Sequence, residues 1–291
     1  MSWEIAKQLI DDLLYDKYDY INSSNTLGII LDFIGGEPFM EIELIGQIVE
    51  YTYNTMIELN HPWLYYSVVS LCSNGVLYTT PKVQSFFKKY GYLCHLSISL
   101  DGNKELHDSC RIDLDGKGSY DKVIEAVKLY REQTGGEAPT KMTLSPSNIS
   151  YLSQAVLNLI NENYKEIHLN YAYEPGWTIE HAKILYNELK IITHYIIDNN
   201  LYNKIYISLF DEDLGQPMAE DDNANWCGGT TQGGHITIDY CGRIFPCLRY
   251  MNSSLNNRQK PICIGEVGKG ILLTEEEKEN FKKIDNITRR S

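Results

Sequence analysis

The chain has 291 residues, 43% hydrophobic and 22% charged, with a formal net charge of −13 at pH 7. These values suit one large α/β domain with an appendage, or two domains. The negative charge argues against nucleic acid and against an anionic membrane surface, both of which call for basic faces.

Ser2 to Tyr15 has apolar residues at Ile5, Leu9, Ile10, Leu13 and Leu14, which is helical spacing with Ser2 as N-cap. This acidic, amphipathic start is neither a signal nor a transit peptide, and no run approaches the roughly 18 apolar residues of a membrane span, so the expected location is the cytosol. Leu27 to Ile34 (LGIILDFI) is a continuous apolar run, the pattern of a strand buried on both faces of a parallel sheet. It ends in Gly35-Gly36-Glu37-Pro38. A helix is predicted over 41–59, a strand over 64–71, a helix over 81–89 with Pro81 in its first turn, and a strand over 94–100. A helix over 119–131 with Ser119 as N-cap follows. Then come a strand at 141–144, a helix at 149–161, a strand at 166–171 and a helix at 179–197. Strand and helix alternate about five times, which means βαβ units and a parallel sheet. The alternation begins with a helix, as if a first strand were missing. Five strands and one absent strand suit a partial (β/α)6 barrel, although a doubly wound sheet has the same alternation.

The texture changes near Tyr202. Residues 201–225 are acidic and polar and read as a linker between a 1–200 barrel and a 226–291 region. In that region 235–239 and 243–247 form a predicted β-hairpin around Asp239-Tyr240-Cys241-Gly242. The tail beyond Leu273 is charged and predicted helical.

Seven cysteines in a reducing compartment point to metal or redox roles rather than disulfides. Cys72 and Cys94 read as core residues, and His168 as a core or barrel-lining residue. Cys110 falls in a predicted loop near the face where such sheets carry their sites, and a catalytic role there stays open. The histidines show no metal spacing such as H-E-x-x-H.

Gly35 and Gly36 let the backbone approach a ligand, and their carbonyls and Glu37 can accept from an ammonium group. The rival reading is a tight turn before a helix. In the same order follow Ser73-Asn74-Gly75, Ser97-Ile98-Ser99-Leu100-Asp101-Gly102, His107-Asp108, Arg111, Gly118-Ser119-Tyr120-Asp121 and Pro146-x-Asn148-Ile149. This series, across residues 2–171, resembles the radical S-adenosylmethionine family. The resemblance implies that Gly35, Gly36, Glu37 and Pro38 hold the amino group of S-adenosylmethionine. It implies that Ser99, Asp101 and Arg111 contact its ribose and carboxylate. Arginine suits a carboxylate because its planar fork binds both oxygens.

Cys227, Gly242 and Cys247 fit C-x14-G-x4-C and end in an aromatic-Pro-Cys run, which resembles the opening half of a SPASM extension. That resemblance implies Cys227 and Cys247 as ligands of an auxiliary 4Fe-4S cluster, for which thiolates are the ligands of choice. A zinc site or two buried cysteines are the rivals. Cys263 is a candidate extra ligand, and Cys241 reads as incidental.

The family's C-x3-C-x2-C triplet, which holds the radical-generating cluster, is not in this sequence. The expectation is a piece of a longer enzyme, truncated at both ends and inactive alone. The implied function is a peptide maturase working by hydrogen-atom abstraction, with a precursor peptide as substrate and a reductant protein as partner. Glu174-Pro175-Gly176-Trp177 and Asn60-His61-Pro62-Trp63 resemble maturases of cysteine-repeat precursors, which form thioether or related crosslinks. Leu248, where sulfatase-maturing relatives place an aspartate, disfavours that activity. The alternatives are a non-catalytic peptide-binding remnant and a zinc-stabilised barrel of unrelated function.

Overall fold

The computed structural model describes residues 1–18, 20, 27–113, 115–172, 176–211, 234–255 and 260–278. Six strands form one sheet in chain order: β1 (Ile30–Phe33), β2 (Val68–Ser73), β3 (Cys94–Ser99), β4 (Thr140–Leu144), β5 (Glu166–Tyr171) and β6 (Tyr206–Ile207). Every pairing from β2 to β6 is parallel. Helices α2 (Ile42–Glu58), α3 (Pro81–Tyr90), α4 (Lys104–Cys110), α5 (Tyr120–Thr134), α6 (Leu152–Asn161) and α7 (Ile179–Asp198) lie between them in sequence. Sequential parallel order with helical connections is the α/β arrangement the alternation predicts.

The chain divides into two compact units. One comprises Leu31–Glu43 and Val69–Pro217 and carries most of this sheet. Its central strands alternate strictly between two kinds of surface. Leu71, Leu96, Ile98, Met142, Leu144, Ile167 and Leu169 are buried. The alternate positions, Ser97, Ser99, Lys141, Thr143, His168 and Asn170, are half-buried or exposed. One sheet face is therefore apolar core and the other is polar, because successive side chains point to opposite faces. This corrects one expectation. The Leu27 to Ile34 run is not a strand buried on both faces: β1 is four residues long and Ile30 is 69% exposed. Among the described residues it stands at the end of the sheet order, next to β2. Of the two places expected for His168, core or barrel lining, it does not take the core: it is on the polar side beside Glu166, 2.7 Å away.

The other unit comprises Met1–Ile30, Leu44–Val68 and Met218–Ser291. It holds helix α1 (Trp3–Leu14) and an antiparallel sheet in the order β10-β9-β8-β7, made of β7 (Thr237–Ile238), β8 (Arg243–Phe245), β9 (Gly265–Glu266) and β10 (Gly270–Ile271). Ser2 caps α1 as its sequence position predicts, accepting from the Ile5 amide at 3.4 Å. The apolar stripe of α1 packs through Leu9 and Leu13 onto a small core of Tyr20, Ile244 and Ile264. Asp12, on the same helix, is fully buried. Its carboxylate accepts from the Tyr20 hydroxyl (2.9 Å), the Gly268 amide (2.9 Å) and the Gln8 amide group (2.6 Å). Burying a carboxylate is costly unless every lone pair is engaged, and here three donors and Lys17 meet it. Helix α1 is thus joined to the β9–β10 turn across some 250 residues of sequence.

Asp12→Ala leaves those donors without an acceptor and is expected to cost this unit roughly 2–4 kcal/mol. Tyr20→Phe removes one bond and should cost about 1 kcal/mol. Urea unfolding followed by tyrosine and tryptophan fluorescence reads both. An Asp12→Ala chain unfolding with the wild-type midpoint contradicts the assignment.

Candidate functional site

The candidate residues of the parallel sheet lie in the turns after its strands. Strand β1 runs into Gly35, which takes a left-handed conformation (φ +43°). A methyl group placed on Gly35 or Gly36 meets nothing within 4 Å, so this backbone is bare on one side. Glu37 then caps a short 3-10 helix, Pro38–Glu41, accepting from the Phe39 amide at 3.1 Å. The same carboxylate accepts from the Ser73 hydroxyl (2.7 Å) and the Asn74 amide (2.8 Å). Glu37 therefore ties the turn after β1 to the turn after β2. The sequence reading took Ser73-Asn74 only as a strand end, yet it is the anchor of the Gly-Gly-Glu-Pro segment. The segment is a capped turn whose glycines have open space beside them.

After β3 the chain reaches Asp101, 2% exposed, and then Gly102 at φ +83°. A Cβ at Gly102 would sit 2.5 Å from that of Ala155, so the close approach of α6 demands glycine. Asp101 accepts from the Thr143 amide at 3.1 Å through one oxygen and pairs with the Arg111 Nε–H through the other. Arg111 meets Asp101 through Nε, so this pair does not use its two terminal nitrogens. Ser99, on the polar sheet face beside Lys141, is half-buried.

Between Asp101 and Arg111 lies α4, a helix where the sequence reading expected a loop. It begins at Asn103, whose side chain accepts from the Leu106 amide at 3.0 Å, a cap hidden in the sequence by the preceding Asp-Gly. His107 on α4 is fully buried. Its Nδ1 accepts from the Asp101 amide (3.3 Å), so Nε2 carries the proton and donates to the Ser119 hydroxyl (3.0 Å). Burial away from water, outweighing the nearby Asp101, pushes the imidazole pKa down to about 4. Ser119 is not the side-chain cap of α5 that its position suggested. Its hydroxyl donates to the Arg111 carbonyl at 3.1 Å, and Asp108 takes over the cap by accepting from the Tyr120 amide at 2.9 Å. Gly118 allows this, since a Cβ there would collide with the Asp108 carboxylate.

Cys110 ends α4 rather than lying in a loop. Its thiol sits 3.6 Å from Asp101, and burial together with that carboxylate pushes its pKa up, which keeps it protonated and poorly nucleophilic. Cys94 is likewise held up, to about 12, by burial.

In the other unit, β7 and β8 pair Thr237 with Phe245 and Ile238 with Ile244. Asp239 closes the turn by accepting from the Cys241 and Arg243 amides (2.9 and 3.0 Å) and from the Arg243 guanidinium, and Gly242 supplies φ +82°. The predicted hairpin forms, though each strand is shorter than expected. Continuing its register sets His235 opposite Cys247. A hydrogen bond from His235 pulls the Cys247 thiol below its ordinary range, toward the thiolate that metals require. Cys241 and Cys263 are exposed. Cys227, most of the expected 201–225 linker and Glu174-Pro175 lie outside the described residues. Among the described residues no three His, Cys, Asp or Glu side chains converge as a metal set, and no helix is long and apolar enough to cross a membrane.

The chain is similar to known proteins in sequence and in fold. It is 34% identical over 100 residues to a cysteine-type anaerobic sulfatase-maturating enzyme of Clostridium novyi, covering 33% of this chain and 24% of that one. It is 25% identical over 270 residues to a serine-type anaerobic sulfatase-maturating enzyme of Bacteroides thetaiotaomicron, covering 82% of this chain and 58% of that one. The fold matches native anSMEcpe with bound AdoMet and Kp18Cys peptide at a TM-score of 0.68 and 18% identity, over 98% of this chain and 75% of that one. The same protein with bound AdoMet alone gives a TM-score of 0.69. No family model matches the chain. These likenesses agree with the radical S-adenosylmethionine maturase family read from the motifs. The chain spans between a quarter and three-fifths of the curated relatives named here.

Because the buried His107 is neutral when folded and charges more easily when unfolded, the unfolded chain binds the extra proton between pH 6.5 and about 4. Stability should therefore fall as pH drops through that window, by up to roughly 3 kcal/mol from this group. Urea unfolding of wild type and His107→Gln at pH 6.5 and 4.5 reads the difference. Equal losses in the two proteins contradict a buried neutral imidazole.

Proposed function

We propose that this chain carries the cosubstrate-binding face of a radical S-adenosylmethionine peptide maturase, together with part of its SPASM region. In this reading β1–β5 are the five strands of a partial (β/α)6 barrel lacking its first strand, with β6 added beyond them, and the β7–β10 unit is the partial SPASM domain. The observation that carries it is at one edge of one parallel sheet. An open glycine turn and a buried carboxylate–guanidinium pair stand in the turns after β1 and β3, in the order the family places them.

Each residue then has a task that its chemistry permits. The backbone of Gly35 and Gly36, open where a side chain would stand, receives the ammonium group of S-adenosylmethionine, with Glu37 fixing the turn and Pro38 setting its direction. Arg111 offers its two terminal nitrogens as a fork to the carboxylate, held at that angle by Asp101. Ser99 reaches the ribose from the polar sheet face. When bound and reduced by one electron, S-adenosylmethionine supplies the radical that abstracts a hydrogen atom. The C-x3-C-x2-C triplet that holds the reducing cluster is not in this sequence, so no cleavage step is assigned to these residues; a reductant protein is the expected electron donor of the family. Cys247, a half-buried thiol kept acidic by His235, is one ligand of the auxiliary 4Fe-4S cluster, with Cys227 as another. The substrate is a peptide. The relatives are sulfatase-maturating enzymes by name; Leu248, where such relatives place an aspartate, speaks against that activity, and the resemblance to maturases of cysteine-repeat precursors supports thioether crosslinking.

The missing triplet also favours a second reading, a peptide-binding remnant without chemistry. It predicts peptide affinity and no iron in the purified chain.

Calorimetric titration with S-adenosylmethionine should show binding that Arg111→Ala weakens at least about tenfold, the worth of a charge-assisted bond of roughly 1.5–3 kcal/mol. Equal affinity in the two proteins contradicts the site. After anaerobic reconstitution with iron and sulfide, Cys247→Ala should hold markedly less iron per chain than wild type, without the cluster absorption near the visible. Zinc in place of iron, or unchanged iron, contradicts the ligand assignment.

A further inference from the structure

We propose that His107 is the positioning residue of the Asp101–Arg111 pair, the link that fixes where the arginine fork points. This rests on the reading of Arg111 as the carboxylate-binding group.

The argument is a closed circuit of contacts. It starts at the Asp101 amide, which donates to His107 Nδ1 at 3.3 Å. His107 Nε2–H donates to the Ser119 hydroxyl at 3.0 Å, and that hydroxyl donates to the Arg111 carbonyl at 3.1 Å. The Arg111 amide returns to the His107 carbonyl at 2.8 Å. The Arg111 guanidinium then closes the circuit on the Asp101 carboxylate. Each member has both its backbone and its side chain restrained, so the pair cannot shift as a unit or come apart by a local rotation. A cysteine or an aliphatic residue at 107 fills space but leaves the Asp101 amide and the Ser119 hydroxyl unpaired in a buried site. Only a neutral imidazole offers an acceptor on one side and a donor on the other from a single rigid ring.

A residue that merely packs would leave the arginine geometry intact when replaced by a side chain of similar bulk. A positioning residue would not. The two are separated by the Arg111 Nε–H resonance in the full chain labelled with 15N-arginine. In wild type, donation to a buried carboxylate should protect this proton from exchange with water. In His107→Leu and in Ser119→Ala the protection should be lost, and S-adenosylmethionine affinity should fall about tenfold, while Ser119→Ala, which leaves one buried donor unpaired, stays folded with a modestly lowered melting temperature. Retained protection in either folded variant overturns the proposal. Should His107→Leu fail to fold, Ser119→Ala decides alone, because it removes the same circuit by a single hydroxyl. If Arg111→Ala leaves S-adenosylmethionine binding unchanged, the reading of the site fails, and the resonance still judges whether His107 orders Arg111.

Discussion

The buried carboxylate of Asp101 is the constraint on which the candidate site depends. A carboxylate at 2% exposure is tolerable only with its charge paired and its lone pairs filled. Arg111 provides the charge and the Thr143 amide fills the second oxygen. Several otherwise unrelated sequence features serve that arrangement. Gly102 lets α6 approach, the seven-residue α4 brings Arg111 back over the strand end, Gly118 admits Asp108, and His107 and Ser119 stitch the return. The result is a guanidinium held from behind with its fork free, at the edge of a sheet whose polar face carries Ser99, Lys141 and Thr143. A preorganised donor of this kind pays little reorganisation on binding an anion.

A second buried carboxylate, Asp12, plays the equivalent part in the other unit. It gathers donors from α1, Tyr20 and the β9–β10 turn, and the small apolar core of Tyr20, Ile244 and Ile264 forms around it. The long-range hydrogen bonds of Asp12 and Tyr18 add to that cluster. The hairpin that presents Cys247 and His235 depends on this support. Both units therefore use one device, a desolvated aspartate saturated by distant donors, to hold short elements that propensity by itself would not stabilise.

Much of this was legible in the sequence. The helices were found within a few residues of their ends, because the 3.6-residue period of α1, α2 and α7 is long and regular. Strands β3, β4 and β5 were found for the converse reason. Elements decided by tertiary contact were missed: β6, β9 and β10 are two residues each, below the length at which alternation is visible, and α4 is too short to show a period. The apolar run at β1 misled because hydrophobicity reports a preference for burial, whereas exposure at a sheet edge is set by which neighbours the strand has. At the candidate site, the family resemblance pointed to Gly35, Glu37, Asp101 and Arg111, but it said nothing of who holds whom. That Glu37 bonds to Ser73 and Asn74, that Ser119 serves Arg111 rather than α5, and that His107 is buried and neutral are facts of side-chain direction, and a linear sequence carries none of them.

The central claim is that the turns after β1 and β3 bind one small anionic and cationic ligand together. Hydrogen–deuterium exchange of the intact chain, with and without saturating S-adenosylmethionine, tests this most directly, since it reads each segment separately and needs no catalysis. The account predicts slowed exchange at residues 35–38 and 99–111 in the same titration, with α7 and the β7–β10 sheet unchanged. Protection confined to other segments, or none at all, would contradict it.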